Sequence, residues 1–216
     1  MTQLLPNQFL FRYTIPVRYH ARLPKSGKQL LKLSKQYQLP AFGPLDDQRD
    51  FGEVRMAWNR NGLGFNVIVN DKTKPVAYLQ KDPEKSDGLQ IWIDTRNTKN
   101  THRASKYCHQ FFLFPQNVDG QAEVRQLPIA QAKDQAPQVE VDDFACWSQV
   151  TSGGYESELW IPAELLYGLD SQADTQIGFH YLLRDRELGL QSLTVGAEFP
   201  VTHDPSLWST LTLVSE

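Results

Sequence analysis

Cysteine is scarce: Cys108 and Cys146 are the only two in 216 residues. Two thiols make no disulfide framework of the kind that staples small secreted domains. They leave either two buried free thiols or a single bridge. Long apolar runs are also missing. No stretch approaches the ~20 residues that a membrane-spanning helix needs. The opening MTQLLPNQFLFRYTIPVRYH lacks the basic start, apolar centre and small-residue cleavage site of a secretory leader. There is no N-x-Ser/Thr acceptor, and these points together suggest the cytoplasm. Positive charge is not in excess: 22 Lys and Arg face 25 Asp and Glu, for a net charge of −3. The basic field that nucleic acid demands is therefore lacking. Catalytic signatures are missing too, with no G-x-S-x-G, G-x-x-x-x-G-K-S/T, H-E-x-x-H or paired C-x-x-C. The expectation is a protein that binds rather than one that catalyses.

What is present is alternation. Hydrophobic residues make up 40% of the chain and charged residues 22%, an ordinary globular balance. Phe9, Phe11, Tyr13, Ile15, Val17 and Tyr19 alternate with polar residues. So do Leu63, Phe65, Val67 and Val69; Leu89, Ile91 and Ile93; Tyr155, Ser157, Leu159 and Ile161; Ile177, Phe179, Tyr181 and Leu183; and Leu211 and Leu213. Period two means strands with one face in the core. Residues 107–114 (YCHQFFLF) read as a strand apolar on both faces. Turn-forming clusters lie at 59–64, 82–88, 117–120 and 152–154. Only Pro162–Gly168 suggests a helix, of one or two turns. Many short strands at this spacing predict a sandwich or barrel, with residues 1–216 forming a single domain. Residues 24–50 read as an irregular connector or edge hairpin, and 130–143 as an exposed loop.

The densest unusual stretch is Asp87–His109, DGLQIWIDTRNTKNTHRASKYCH. On a strand, Leu89, Ile91 and Ile93 face the core while Gln90, Trp92 and Asp94 face the other side, followed by Arg96 and Asn97. A flat indole flanked by an amide and a carboxylate can stack on the C–H face of a sugar and pair with its hydroxyls. The alternative is that Trp92 packs under a loop whose turn Asp94 and Arg96 tie together. His102, Arg103, Cys108 and His109 offer too few N and S ligands for zinc, and adjacent Cys108 and His109 point to opposite sides of a strand. Arg184–Glu187 reads as a solvated charged turn, in which Asp185 is also a possible oxygen ligand for a hard cation. Met56 and His180 are conceivable axial haem ligands, though a Met on a strand beside Val54 and Trp58 is ordinarily core.

Several segments carry a resemblance. EVRMAWNRNGLGFNVIVND (53–71), SDGLQIWIDTRN (86–97), GGYESELWIP (153–162), IGFHYLLRDRE (177–187) and DPSLWSTLTLV (204–214) resemble, in order and spacing, the motifs of family 9 carbohydrate-binding modules. The resemblance runs from about residue 50 to the C-terminus, with 1–49 as an extension packed on the domain. It implies an all-β, jelly-roll-like antiparallel β-sandwich, shared with DOMON-like domains, and a non-catalytic module for carbohydrate or another polar small molecule. The family clamps its sugar between two tryptophans. This sequence has Pro83–Lys85 and Val201–His203 at those places, Gln90 where the family has glutamate, and Phe112 in place of an arginine. The block D-T-R-N, H-R-A-S and C-H-x-F is similar to a planctomycete-type group of bacterial proteins, which makes Asp94, Arg96, Asn97, His102, Arg103 and His109 that group's own site. The expected ligand-binding set is thus Gln90, Trp92, Asp94, Arg96, Asn97, His102, Arg103 and His109. No cofactor is expected; the resemblance leaves calcium possible should the family's cation sites carry over through Asp87, Asp94 or Asp185, with Asp87 and Asp185 taken as the candidate ligands. The rival expectations are a structural or protein-interaction module, and a metal or haem carrier.

Overall fold

In the computed structural model, residues 12–27, 29–43, 50–140, 143–172 and 174–215 are described. The segments read as strands form as such, among β1 (Thr14–Arg18), β2 (Gly52–Asn59), β3 (Gly62–Val69), β4 (Gly88–Asp94), β5 (Cys108–Phe114), β6 (Glu123–Gln126), β7 (Ala145–Thr151), β8 (Gly154–Pro162), β9 (Gln176–Asp185), β10 (Gly189–Ser192) and β11 (Ser209–Val214); β6, β7 and β10 lie outside the segments read from the sequence. They form a large sheet in the order β1-β11-β9-β4-β5-β6, with β10 paired to β9, and a four-stranded sheet in the order β2-β3-β8-β7. All pairings between these strands are antiparallel except β1 with β11, which is parallel. Those two strands come from opposite ends of the chain, so no hairpin constrains their direction. The expected helix at 162–168 is a single 3-10 turn, Ala163–Leu165. Among the described residues no helix is long and apolar enough to cross a membrane.

The predicted core stripes meet between the sheets. Leu63, Phe65, Val67 and Val69 of β3 pack with Leu89, Ile91 and Ile93 of β4 and Ile177, Phe179, Tyr181 and Leu183 of β9 in one cluster. Phe65 stacks on Phe179 across the two layers, with ring centroids 5.7 Å apart. Ile15 and Val17 join from β1. Phe9 and Phe11 lie outside the described residues.

A second cluster lies on the other face of the large sheet. Trp92, Cys108 and Leu182 project away from the sandwich interior and meet Ala104, Ile129, Val195, Val201 and Trp208. The loops around these five residues therefore roof the sheet, which explains why every residue of β4 and of β5 is buried. A third cluster lies outside the small sheet. Leu23, Leu31 and Leu33 of the N-terminal segment cover Ala57 and Trp160. The segment is pinned by Glu158, a buried carboxylate on β8 that accepts from the backbone N–H groups of Leu30 (2.6 Å), Leu31 (3.1 Å) and Lys32 (2.7 Å). Replacing Glu158 with alanine leaves these amides without their acceptor. The expected cost is on the order of 1–3 kcal/mol, with cleavage at 23–33 the first event in limited proteolysis. Unchanged protection of that segment would disprove the role.

Candidate functional site

The end of β4 is built as a turn. Asp94 accepts from the N–H of Arg96 (3.0 Å) and of Thr98 (2.6 Å), which folds the chain back. Asn97 takes the left-handed conformation at φ 49°, a region that asparagine tolerates better than most residues. Gly178 lies opposite Asp94 in β9, where an added Cβ would stand 3.0 Å from the Asp94 Cβ. Glycine thus lets the turn approach the strand.

Two contacts then tie the following loop to the closing turn before β11. The Lys99 ammonium donates to the Trp208 carbonyl at 2.6 Å. The His102 Nδ1 lies 3.0 Å from Asp204 Oδ2 and 3.2 Å from Ser206 Oγ. The Thr210 hydroxyl adds a bond to Asn97 Oδ1 at 3.3 Å. Burial pushes the Asp204 carboxyl up, but its bonds from Ser206 and His102 outweigh that and hold it below the usual value. Between this loop, residues 12–14, Thr194–Val195 and Ser206–Thr210 opens a cleft of about 710 Å³. Its wall carries the side chains of Arg12, Lys99, Asn100, His102, Ser206 and Thr210. Burial, with Arg12 nearby, pushes the Lys99 amine down to about 8, against the opposing pull of Asp94.

The expected ligand-binding residues scatter around this frame. Asp94, Arg96 and Asn97 share the turn, and His102 lines the cleft. Arg96 lies over the Tyr107 ring at 4.1 Å. Arg103 points elsewhere, donating to the carbonyls of Gln131 (2.9 Å) and Ala132 (3.4 Å). Gln90 and Trp92 do face away from the interior, yet the roof leaves Gln90 5% exposed and Trp92 0%. Trp92 presents no open face to a sugar, because the family-like strand is dry on both sides. His109 belongs to the opposite face from Trp92. It pairs with Ile93 and stacks on Phe111 inside the sandwich, and burial pushes it down to about 4.

Three further expectations resolve on the same alternation. Cys108 and His109 diverge to the two faces of β5, and burial raises the Cys108 thiol to about 12, so this pair does not make a zinc site. Both cysteines are free. Met56 lies between the sheets while His180 lies beyond the large sheet against Trp92, so no single haem can take both. Among the described residues neither ring nitrogen of His180 nor the Trp92 Nε1 has a hydrogen-bond partner. Asp87 and Asp185 do come together, but around an ammonium. The Lys72 Nζ lies 3.2 Å from Asp87 Oδ2, 2.5 Å from Asp185 Oδ2 and 3.9 Å from Glu187 Oε2. Burial alone would lower the Lys72 pKa, but the two aspartates outweigh it and hold it above the ordinary value. The inward carboxylate oxygens are occupied by this lysine, and among the described residues no group of three or more His, Cys, Asp and Glu is arranged to hold a metal. Nothing in the local sequence of Lys72, after Asn70 and Asp71, marks it as buried.

The family described as carbohydrate family 9 binding domain-like matches residues 36–216. The chain belongs to that family. Its match begins ahead of the 53–71 segment and takes in part of the N-terminal extension. Among solved structures, this family 9 chain is similar to a carbohydrate-binding module family 9 from Caldicellulosiruptor kristjanssonii in complex with cellotriose. The two share 12% identity at a TM-score of 0.64, over 94% of this chain and 95% of that one. A carbohydrate-binding module family 9 from the same organism in complex with glucose gives 12% identity and a TM-score of 0.65, over 94% and 97%. No curated protein matches the chain. At this identity the likeness establishes the β-sandwich fold.

Two measurements test the site's electrostatics. Lys72→Met strands two buried carboxylates and should lower stability by about 3–5 kcal/mol in urea denaturation. A loss under 1 kcal/mol would show the cluster to be neutral to folding. Lys99 is depressed in the folded state, so between about 8 and the ordinary 10.5 the unfolded chain holds its proton more tightly. Its contribution to stability therefore rises with pH across that window. The stability of the wild type relative to Lys99→Gln should climb between those values, and a pH-independent difference would contradict the burial of the amine.

Proposed function

We propose that this chain is a single non-catalytic module that binds a glycan in the cleft beside the Asp94–His102 turn. The observation that carries this reading is the cleft itself, about 710 Å³, lined by hydroxyl, amide and cationic groups in a family 9 chain. That volume lies within the range of small-molecule sites. Asn100, Ser206 and Thr210 supply donors and acceptors for sugar hydroxyls, and Arg12 supplies a cation. The cellotriose and glucose complexes of similar modules favour a glucose-containing ligand. In this reading Asp94, Asn97 and His102 position the loop. Trp92 and Gln90 lie beneath the roof and act through the scaffold.

Calorimetry against cello-oligosaccharides and a wider panel of neutral oligosaccharides tests the proposal. Asn100→Ala and His102→Ala are expected to weaken binding about tenfold with the unfolding midpoint nearly unchanged. Trp92→Ala should behave differently, costing about 3–5 kcal/mol of stability. No heat from any sugar on the panel would overturn the reading.

A further inference from the structure

Four of the five tryptophans are at most 4% exposed: Trp58, Trp92, Trp160 and Trp208. Trp147 is the exception. It is half-buried and belongs to none of the three apolar clusters. It sits on β7, the edge of the four-stranded sheet, opposite Glu158 of β8. Tyr155, Leu159 and Ile161 of β8 face the interior, so Glu158 and Trp147 face outward by strand alternation. This is the side of the sandwich away from the large sheet and its cleft. A solvent-facing indole on a sheet edge is an unused stacking surface, and apolar burial does not account for it.

The surroundings make a site of it. The N-terminal segment, pinned by Glu158, lies across the outer face of the small sheet and leaves a groove of about 550 Å³ between itself and β7. Lys25, Ser26, Gln29 and Lys32 form one wall, and Trp147 and Gln149 the other. Among the described residues the lining contains two ammonium groups and no carboxylate. Among the described residues neither lysine is ion-paired. The nearest acid in the register, Glu158, is buried, and its oxygens are taken by three backbone amides. Glu156, opposite Gln149, accepts from Asn66 at 3.0 Å.

We propose that this groove is a second glycan site, selective for a pyranose that carries an anionic group, with the ring on Trp147 and the anion between Lys25 and Lys32. Gln29, Gln149 and Ser26 meet the remaining hydroxyls. Carboxylate and sulfate share the chemistry that two lysines recognise. The site does not depend on ligand binding in the cleft, and its variants separate the two.

The test is titration of the whole chain with a galacturonate trisaccharide, a sulfated disaccharide and a neutral cello-oligosaccharide, read by Trp fluorescence and calorimetry at two salt concentrations. At least one anionic sugar is expected to bind, shield Trp147 from iodide quenching, and weaken as salt rises. The responding sugar identifies the anion as carboxylate or sulfate. Trp147→Ala should weaken binding about tenfold or more. The double variant Lys25→Gln/Lys32→Gln, which changes no buried group, should weaken it and flatten its salt dependence. Asn100→Ala and His102→Ala should leave it unchanged. Silence from both anionic sugars, binding that survives the lysine double variant at full strength, or equal binding of the neutral oligosaccharide in this groove would overturn the proposal.

Discussion

Strand β4 is dry on both faces, and the placement of the candidate sites depends on that. Leu89, Ile91 and Ile93 enter the sandwich interior, while Trp92 is closed over by the loops carrying Ala104, Ile129, Val195, Val201 and Trp208. A sheet covered on one side only would leave Gln90, Trp92 and Asp94 in water as a continuous platform. The roof transfers recognition from the strands to the loops that build it. The chain must turn sharply where β4 leaves this covered region, and Asp94 supplies that turn by capping the amides of Arg96 and Thr98. The same carboxylate that looks like a ligand on a strand is thus satisfied by its own backbone.

Buried charge follows a similar rule of local completion. Glu158 is matched by three backbone amides and Lys72 by two aspartates. Each arrangement takes ionised groups out of water only with partners already in place, since the attraction has to offset desolvation. Both also join segments distant in sequence: Glu158 holds the N-terminal segment, and Lys72 joins the stretch after β3 to the starts of β4 and of the β9–β10 turn. The acidic pair Asp87 and Asp185 is therefore part of the frame, with an ammonium where the family resemblance left room for calcium.

The two sides of the sandwich come to differ because different chain segments cover them. On the large sheet the covering loops pack apolar residues over Trp92 and leave a polar cleft at the strand ends. On the small sheet the N-terminal segment covers Trp160 and stops short of Trp147. Trp160 of β8 is core and Trp147 of β7, two residues along from its partner Ala145, is half in solvent, although both occupy outward positions. Coverage, set by where Leu23, Leu31 and Leu33 can reach, separates them.

The sequence by itself determined most of the strands, their inward stripes and the family, but not β6, β7 or β10. Ile91, Val67 and Phe179 fall in the interior because period-two alternation is a local property that any window of residues displays. It also determined that Cys108 and His109 part company, for the same reason. Tertiary structure alone decided which outward residues stay wet. Trp92 and Trp147 are both tryptophans at outward strand positions, yet one is sealed and the other is not. Lys72 reads as a surface lysine until residues 87 and 185 are brought around it. Solvent access and charge pairing depend on contacts between segments far apart in the chain, and local periodicity carries no information about those.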